Sequence, residues 1–403
     1  MPETPDITVL CISSYFKGEA FMRAAKNDGA RVFLLTEEKL TGENWPRESI
    51  DEIFLMPDLT KLQDVTNAVS YLCRANHIDL IIPLDEYDVE TVAFLREHLR
   101  VPGMGQTATR NFRDKLVMRE QAHKSGIRVP PFTKILNYDQ LREFMASVPP
   151  PWVLKPRTEA GSMGIKKISE SEQLWRWLDQ LGDRQSYFLL EQYVPGDVYH
   201  VDSIVNKGKV IFASVQKYGQ PPMDVAHGGG VFTTRTLAPD SDEAKALKSF
   251  NSELISALGM EHGVTHAEYI KGHADGQFYF LEIAARVGGA HISDLIEAAT
   301  GLNPWAEWAR LEIAIARGKS YKLPKTRKDY GGLLVCLARQ EFPDMAAYDD
   351  AEVVWKMHKA QHAGLIVVSP KADRVQSLIS SYVERFGQDF LAVAPAKDSR
   401  PTH

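Results

Sequence analysis

The N-terminal quarter of the chain alternates two patterns, and that alternation constrains the fold more than any other feature. Ile7 to Ile12 is a continuous apolar run, followed by a polar loop from Ser13 to Gly18. A helix pattern then covers about Glu19 to Asp28, and a second apolar run covers Arg31 to Thr36. A helix near Leu62 to Asn76 and a strand from Ile78 to Pro83 continue the series. Strands that are apolar at successive positions are buried on both faces, so helical crossovers between them predict a parallel sheet covered on both sides. No G-x-G-x-x-G follows the first strand, which disfavours a dinucleotide site there.

At 403 residues the chain exceeds what one core usually organises, so two or three domains are expected. A hydrophobic fraction of 44% and a charged fraction of 25% are those of an ordinary globular protein. The formal net charge is −6 and no basic block occurs, which argues against nucleic acid or a membrane surface as the main partner. Met1 to Asp6 lacks the basic region and apolar core of a secretory signal. The longest apolar runs, such as Leu333 to Ala338, are strand-sized rather than membrane-sized. The three cysteines, Cys11, Cys73 and Cys336, sit far apart in apolar stretches and read as reduced buried thiols. A cytoplasmic enzyme is the expectation.

Farther along, a helix from about Gln106 is expected to carry Phe112-Arg113-Asp114-Lys115, and Val129-Pro130-Pro131 ends that stretch. Short strands and turns follow to about residue 235, then an amphipathic helix from Asp240 to Leu258. After Pro324 the pattern restarts with a strand at Gly332 to Ala338 and closes in a helix near Arg374 to Phe386. Ala396 to His403 are expected to be disordered.

The segment from Thr265 to Glu282 carries the strongest chemical signal. Two β-rich runs flank Asp275-Gly276, a hairpin turn signal. A turn centred on residue 275 pairs Glu268 with Glu282 and residue 270 with 280. The two carboxylates then face each other, about 5 Å apart at the β-carbon. Like charges so placed repel unless a cation lies between them, and magnesium held by carboxylates and phosphates is the natural occupant. A register slip of one residue would separate the pair, and two solvated surface glutamates are the plain alternative. Arg286 follows four residues after Glu282, and Gly288-Gly289 opens a helix from about His291. A guanidinium suits phosphate and carboxylate oxygens, and a glycine-opened helix suits an anion.

Trp152 to Pro156 reads as a short strand delivering Lys155, and the loop Glu159-Ala160-Gly161-Ser162-Met163-Gly164 follows before a strand from Ile165 to Ile168. Glycines let backbone amides approach phosphates, although a plain hairpin turn explains the loop equally well. The strand Phe188 to Gln192 ends in Tyr193-Val194-Pro195-Gly196, where exposed backbone groups and Glu191 could read an adenine edge. His227, beside Gly228 to Gly230, could orient a substrate carboxylate or amine, or be incidental to a mobile connection. Asp85 and Glu86 end a strand where parallel sheets place ligands, but a solvated loop is the favoured reading.

Taken together and in this order, these segments resemble the ATP-grasp superfamily, particularly its carboxylate–amine ligases and L-amino-acid (dipeptide) ligases. The resemblance implies an α/β multidomain fold. An N-terminal parallel α/β domain would cover residues 1–110 and an ATP-grasp nucleotide clamp 111–320, with a small lid at about 127–190. A small C-terminal α+β domain would cover 321–403. The implied reaction is ATP-dependent joining of a small carboxylate to an amine through an acyl phosphate. Lys115 and Lys155 would hold the nucleotide phosphates, with Glu159, Gly161, Ser162, Met163 and Gly164 closing over them. Glu191, Gln192, Tyr193 and Val194 would contact adenine. Glu268 and Glu282 would bind Mg2+, with Mn2+ as a substitute. Arg286, with Lys155, would act on the reacting groups, and His227, Gly288 and Gly289 would face substrate. The implied partners are small-molecule substrates, with a homodimer as the assembly common among similar enzymes.

Two departures from the family pattern stand out. Ala284 occupies a position where many members carry a metal-binding asparagine. Val198 lies where many carry a glutamate for the ribose, leaving Asp197 or His200 as substitutes. Another ATP-grasp enzyme, a carboxylase or purine-pathway ligase, and a non-catalytic ATP-binding protein are the rival readings.

Overall fold

The structure is a computed structural model that describes residues 7–393. The stretch Met1 to Asp6 and the expected disorder of Ala396 to His403 lie outside the described residues. Strands β1 (Thr8–Ser13), β2 (Arg31–Glu37), β3 (Glu52–Met56) and β4 (Leu80–Pro83) form a parallel sheet in the order β3-β2-β1-β4. The apolar residues of β1 explain why it is central. Val9 and Cys11 enter one core while Leu10 and Ile12 enter another on the opposite face. The helix expected to reach Asn76 spans Leu62–Leu72; beyond it the chain tightens into turns, with Arg74 N donating to the Tyr71 carbonyl at 3.1 Å and the Asn76 side chain to the Leu72 carbonyl at 3.1 Å.

Four short strands make a second, antiparallel sheet: β5 (Phe132–Lys134), β6 (Trp152–Pro156), β7 (Lys166–Ile168) and β8 (Phe188–Gln192), in the order β5-β8-β6-β7. Leu141, Trp152, Leu154, Leu174 and Leu190 give this unit its own core. The third sheet is the largest. It contains β9 (Gly196–Asn206), β10 (Lys209–Tyr218), β11 (Phe232–Thr236), β12 (Gly263–Gly272), β13 (Phe278–Ala284), β14 (Tyr330–Leu337), β15 (Val353–Lys356) and β16 (His362–Ser369). Their order is β13-β12-β9-β10-β11-β14-β16-β15, with every pairing antiparallel. The segment after residue 321 therefore extends the same sheet through the β11–β14 pairing, and the helix Ala372–Asp389 packs on its strands.

The sequence reading of one long helix through Phe112 to Lys115 is corrected. A helix Gln106–Arg110 ends, and a new one, Lys115–Lys124, begins. Asp114 caps the second, accepting from the amides of Leu116 at 3.0 Å and Val117 at 3.4 Å. The N-terminal sheet is fastened to the rest by the helix Pro304–Ala316 packing on the helix Glu19–Asn27, where the Phe21 and Trp308 rings meet edge to face at 5.2 Å. All three cysteine thiols are free. Among the described residues no helix is long and apolar enough to cross a membrane.

Candidate active site

A cleft open to solvent lies between the small antiparallel sheet and the β9–β12–β13 edge of the large one. Of the residues singled out in the sequence, Lys115, Lys155, Glu159, Ser162 and Met163 line it from one side. Glu191, Gln192, Tyr193, Val194, Glu268 and Glu282 complete the lining. Gly161 and Gly164 belong to the same loop without lining the cleft; their φ values of 63° and 68°, with Ser162 at 62°, produce its sharp reversal. The walls also carry an apolar set that local sequence patterns did not reveal: Val153, Ile165, Val198, Met223, Ile270 and Leu281 line the cleft beside the polar groups.

The two lysines reach the cleft by linked routes. The backbone amide of Lys115, the first residue of its helix, donates to the Arg157 carbonyl at 2.8 Å, tying that helix start to the end of β6, which carries Lys155. The ammonium of Lys115 donates to the Glu159 carbonyl at 2.5 Å and pairs with Glu282 Oε2 at 3.1 Å. Lys155 pairs with Glu191, whose other oxygen accepts from Arg119 Nε at 3.0 Å. Burial would raise the Glu191 carboxyl, but Arg119 and Lys155 outweigh it and lower the pKa. Glu191 thus anchors a lysine and a buried arginine, a role its place at a strand end did not reveal.

Glu268 and Glu282 stand directly opposite each other across β12 and β13. The expected pairing of residues 270 and 280 does not form. Ile270 pairs with Tyr279 and Tyr269 with Phe280, because a bulge at Leu281 takes up one residue. Glu282 remains about one-third exposed, at 35% of its side chain, whereas Glu268 is largely covered, at 16%. Two carboxylates converging on one cleft offer hard oxygen donors suited to Mg2+. Ala284 is buried opposite His266 and adds no oxygen.

Arg286 does not line this cleft. Its guanidinium grips Glu86 through Nε at 3.0 Å and a terminal nitrogen at 2.7 Å, and Arg113 meets the other Glu86 oxygen at 3.3 Å. The solvated-loop reading of Asp85 and Glu86 is corrected: both are buried, and Asp85 pairs with Lys17. Burial alone would raise the Glu86 carboxyl; Arg286, Arg113 and Lys115 outweigh it and bring it to about 2.

The proposed ribose substitutes are corrected too. Asp197 pairs with Lys217 at 2.7 Å, and His200 is fully buried; neither lines the cleft, where Val198 does. The connection around His227 forms a short helix, Pro222–Gly228, with His227 exposed and outside the cleft lining; Pro221, Pro222 and Met223 from that segment face the cleft instead. Gly289 has open space at its α-carbon, whereas a Cβ on Gly288 would lie 2.6 Å from Asp202 Oδ1 and 3.1 Å from His266 Nδ1. Gly288→Ala should therefore cost about 1–3 kcal/mol by overpacking, read as a lowered midpoint in thermal unfolding.

A parallel α/β unit, a small antiparallel sheet and a large sheet presenting paired carboxylates to the cleft make up the architecture. Residues 148–294 match the family model described as the ATP-grasp domain. The fold is that of a solved L-amino acid ligase from Bacillus licheniformis, with a TM-score of 0.78 at 16% identity over 97% of this chain and 99% of that one. N5-carboxyaminoimidazole ribonucleotide synthetase from Thermus thermophilus superposes with a TM-score of 0.72, also at 16% identity, over 96% of this chain and 99% of that one. In sequence the chain is similar to the L-arginine-specific L-amino acid ligase of Bacillus subtilis, 24% identical over 274 residues, covering 66% of this chain and 65% of the relative. It is similar as well to the alanine–anticapsin ligase of Bacillus subtilis (strain 168), 23% identical over 261 residues, covering 60% of this chain and 55% of the relative. The matches thus span less than two thirds of these curated relatives.

Proposed function

We propose that this protein is an ATP-dependent ligase that joins a small carboxylate, an amino acid by preference, to an amine, releasing ADP and phosphate. The observation that carries the reading is the Glu268–Glu282 pair in one cleft with Lys115, Lys155 and the Glu159–Gly164 loop. Similarity to amino acid ligases favours it over a carboxylase or a purine-pathway enzyme. The division into units at 1–110, 111–320 and 321–403, and assembly as a cytoplasmic homodimer, belong to the same proposal.

In this reading the apolar part of the cleft takes the adenine, with Gln192 to Val194 at its edge, and the two lysines neutralise phosphate oxygens. Glu268 and Glu282 would hold Mg2+, which when bound supplies positive charge beside the phosphates. A substrate carboxylate oxygen attacks the γ-phosphorus, and ADP departs with the bridging oxygen. The amine then attacks the acyl carbon, the acyl C–O bond breaks with its electron pair going to the departing phosphate, and the proton lost by the amine ends on that phosphate. Arg286, released from or shared with Glu86, offsets charge on the acyl oxygen. Positioning and electrostatics suffice for such phosphoryl transfer. The acyl phosphate must be kept from water, which suits the glycine loop over the cleft.

The test is magnesium-dependent phosphate release from ATP across single and paired amino acids, other small carboxylates, bicarbonate and formate. Release only when a carboxylate and an amine are both present is the expected result. Dependence on bicarbonate or formate would mark a different ATP-grasp activity. ATP binding without release for any pair would favour a non-catalytic nucleotide-binding protein.

A further inference from the structure

We propose that Asp202 and His266, braced by His200 and Tyr218, position the Glu268 carboxylate so that one oxygen is presented to a divalent cation. This rests on the reading of Glu268 and Glu282 as the metal pair. The residues come from three neighbouring strands. His200 and Asp202 on β9, His266 and Glu268 on β12, and Gln216 and Tyr218 on β10 occupy alternate positions, so each pair points to one face. The register sets His266 opposite Asp202, and Glu268 and Gln216 opposite His200. Five of the six are buried, and Glu268, with 16% of its side chain exposed, carries the layer to the cleft wall.

Asp202 holds both imidazoles. Its Oδ1 lies 2.9 Å from His266 Nδ1 and its Oδ2 2.7 Å from His200 Nδ1. A carboxylate accepts, so each Nδ1 carries a proton and each ring is fixed in orientation. Thr234 Oγ1, 2.8 Å from His200 Nε2, completes that ring's bonding. His266 is thereby turned with Nε2 toward Glu268 Oε1 at 3.6 Å. The Tyr218 hydroxyl donates to the same Oε1 at 2.8 Å, and its ring lies against His200 with centroids 4.6 Å apart. Both contacts converge on Oε1, and among the described residues Oε2 has no hydrogen-bonding or ionic partner.

A buried His–Asp–His cluster is costly to desolvate, and apolar residues would serve packing better. The side-chain ligand atoms of Asp202 and the two histidines lie within 4.8 Å of one another, yet they are engaged with each other through the two Asp202 bonds. That arrangement suits support of a neighbouring metal carboxylate better than coordination of an ion by the cluster itself. Gly288 packs against the same Asp202–His266 pair, so the pair also abuts the loop that follows Arg286.

The test is calorimetric titration of ADP into the full-length protein over a series of Mg2+ concentrations. Asp202→Asn, which disturbs both imidazoles while keeping volume, should raise the half-saturating Mg2+ about tenfold or more, with Mg2+-free ADP affinity unchanged. Tyr218→Phe, which keeps the ring against His200, should raise it about fivefold. Should Asp202→Asn fail to fold, Tyr218→Phe decides alone. Variants that lower the thermal midpoint without moving the Mg2+ midpoint would overturn the proposal and leave the cluster a packing device. If wild-type ADP affinity ignores Mg2+, or Glu268→Gln responds to it as wild type does, the metal-pair reading itself fails and the positioning role falls with it.

Discussion

Glu282→Ala should reduce ATP-dependent phosphate release by about a thousandfold while leaving the protein folded. Glu282 faces Glu268 across the hairpin and pairs with Lys115 at 3.1 Å, so under the proposed metal-pair role its loss would remove half of the oxygen pair offered to the cation. Charge stabilisation by a metal in such a transition state is worth several kcal/mol, and about 4 kcal/mol corresponds to that factor in rate. The side chain is 35% exposed, so its removal should change stability by less than about 1 kcal/mol. Phosphate release under saturating substrates, run beside thermal unfolding, separates these effects. Retention of more than about a tenth of the wild-type rate would remove Glu282 from the metal pair.

Glu86→Gln should be the most destabilising single change near the cleft, at about 3–5 kcal/mol, because it leaves the buried Arg286 without its paired carboxylate and Arg113 with Glu90 alone, at 3.7 Å. The pH dependence has a definite sign. The Glu86 carboxyl moves from an ordinary value of 4.5 to about 2 on folding, so the unfolded chain takes up its proton first as the solution is acidified. Its stabilising contribution is complete above about pH 4.5 and is lost as pH falls toward 2. Denaturant unfolding of wild type and Glu86→Gln across that range should show the difference shrinking as the solution becomes more acidic. A constant difference would mean that the arginines are not held by the ionised carboxylate.

What the sequence made legible follows a physical line. The parallel sheet could be read because β1 and β2 are buried on both faces, so that Val9 to Ile12 and Val32 to Leu35 are apolar at every position. The opposed glutamates could be read because Asp275-Gly276 marks the turn, but counting outward from a turn cannot see the bulge at Leu281. β9 escaped notice as a strand because Asp197, His200, Asp202 and Ser203 interrupt its apolar pattern. His200, Asp202 and Ser203 are nonetheless interior, held by partners on neighbouring elements. Asp114 is a helix cap whose signal was present in the sequence, as an aspartate ahead of an apolar run. The Glu86–Arg286 contact joins residues 200 positions apart, and nothing local in either segment names the other.

The unbroken eight-stranded sheet also decides which parts of the molecule can move past one another. β14 is laced to β11 over four register positions, and β11 to β10, so the stretch beyond residue 321 shares one stiff plank with the paired glutamates. Swinging that stretch as a flap would mean unzipping a ladder in the middle of the plank. The four-stranded sheet β5-β8-β6-β7 has its own core and, among the described residues, no ladder to the plank, so it is the natural jaw. The chain enters that unit through residues 125–131 and leaves it through 193–195, so opening and closing would bend both links and carry Lys155 and the glycine loop together toward a stationary bed of carboxylates.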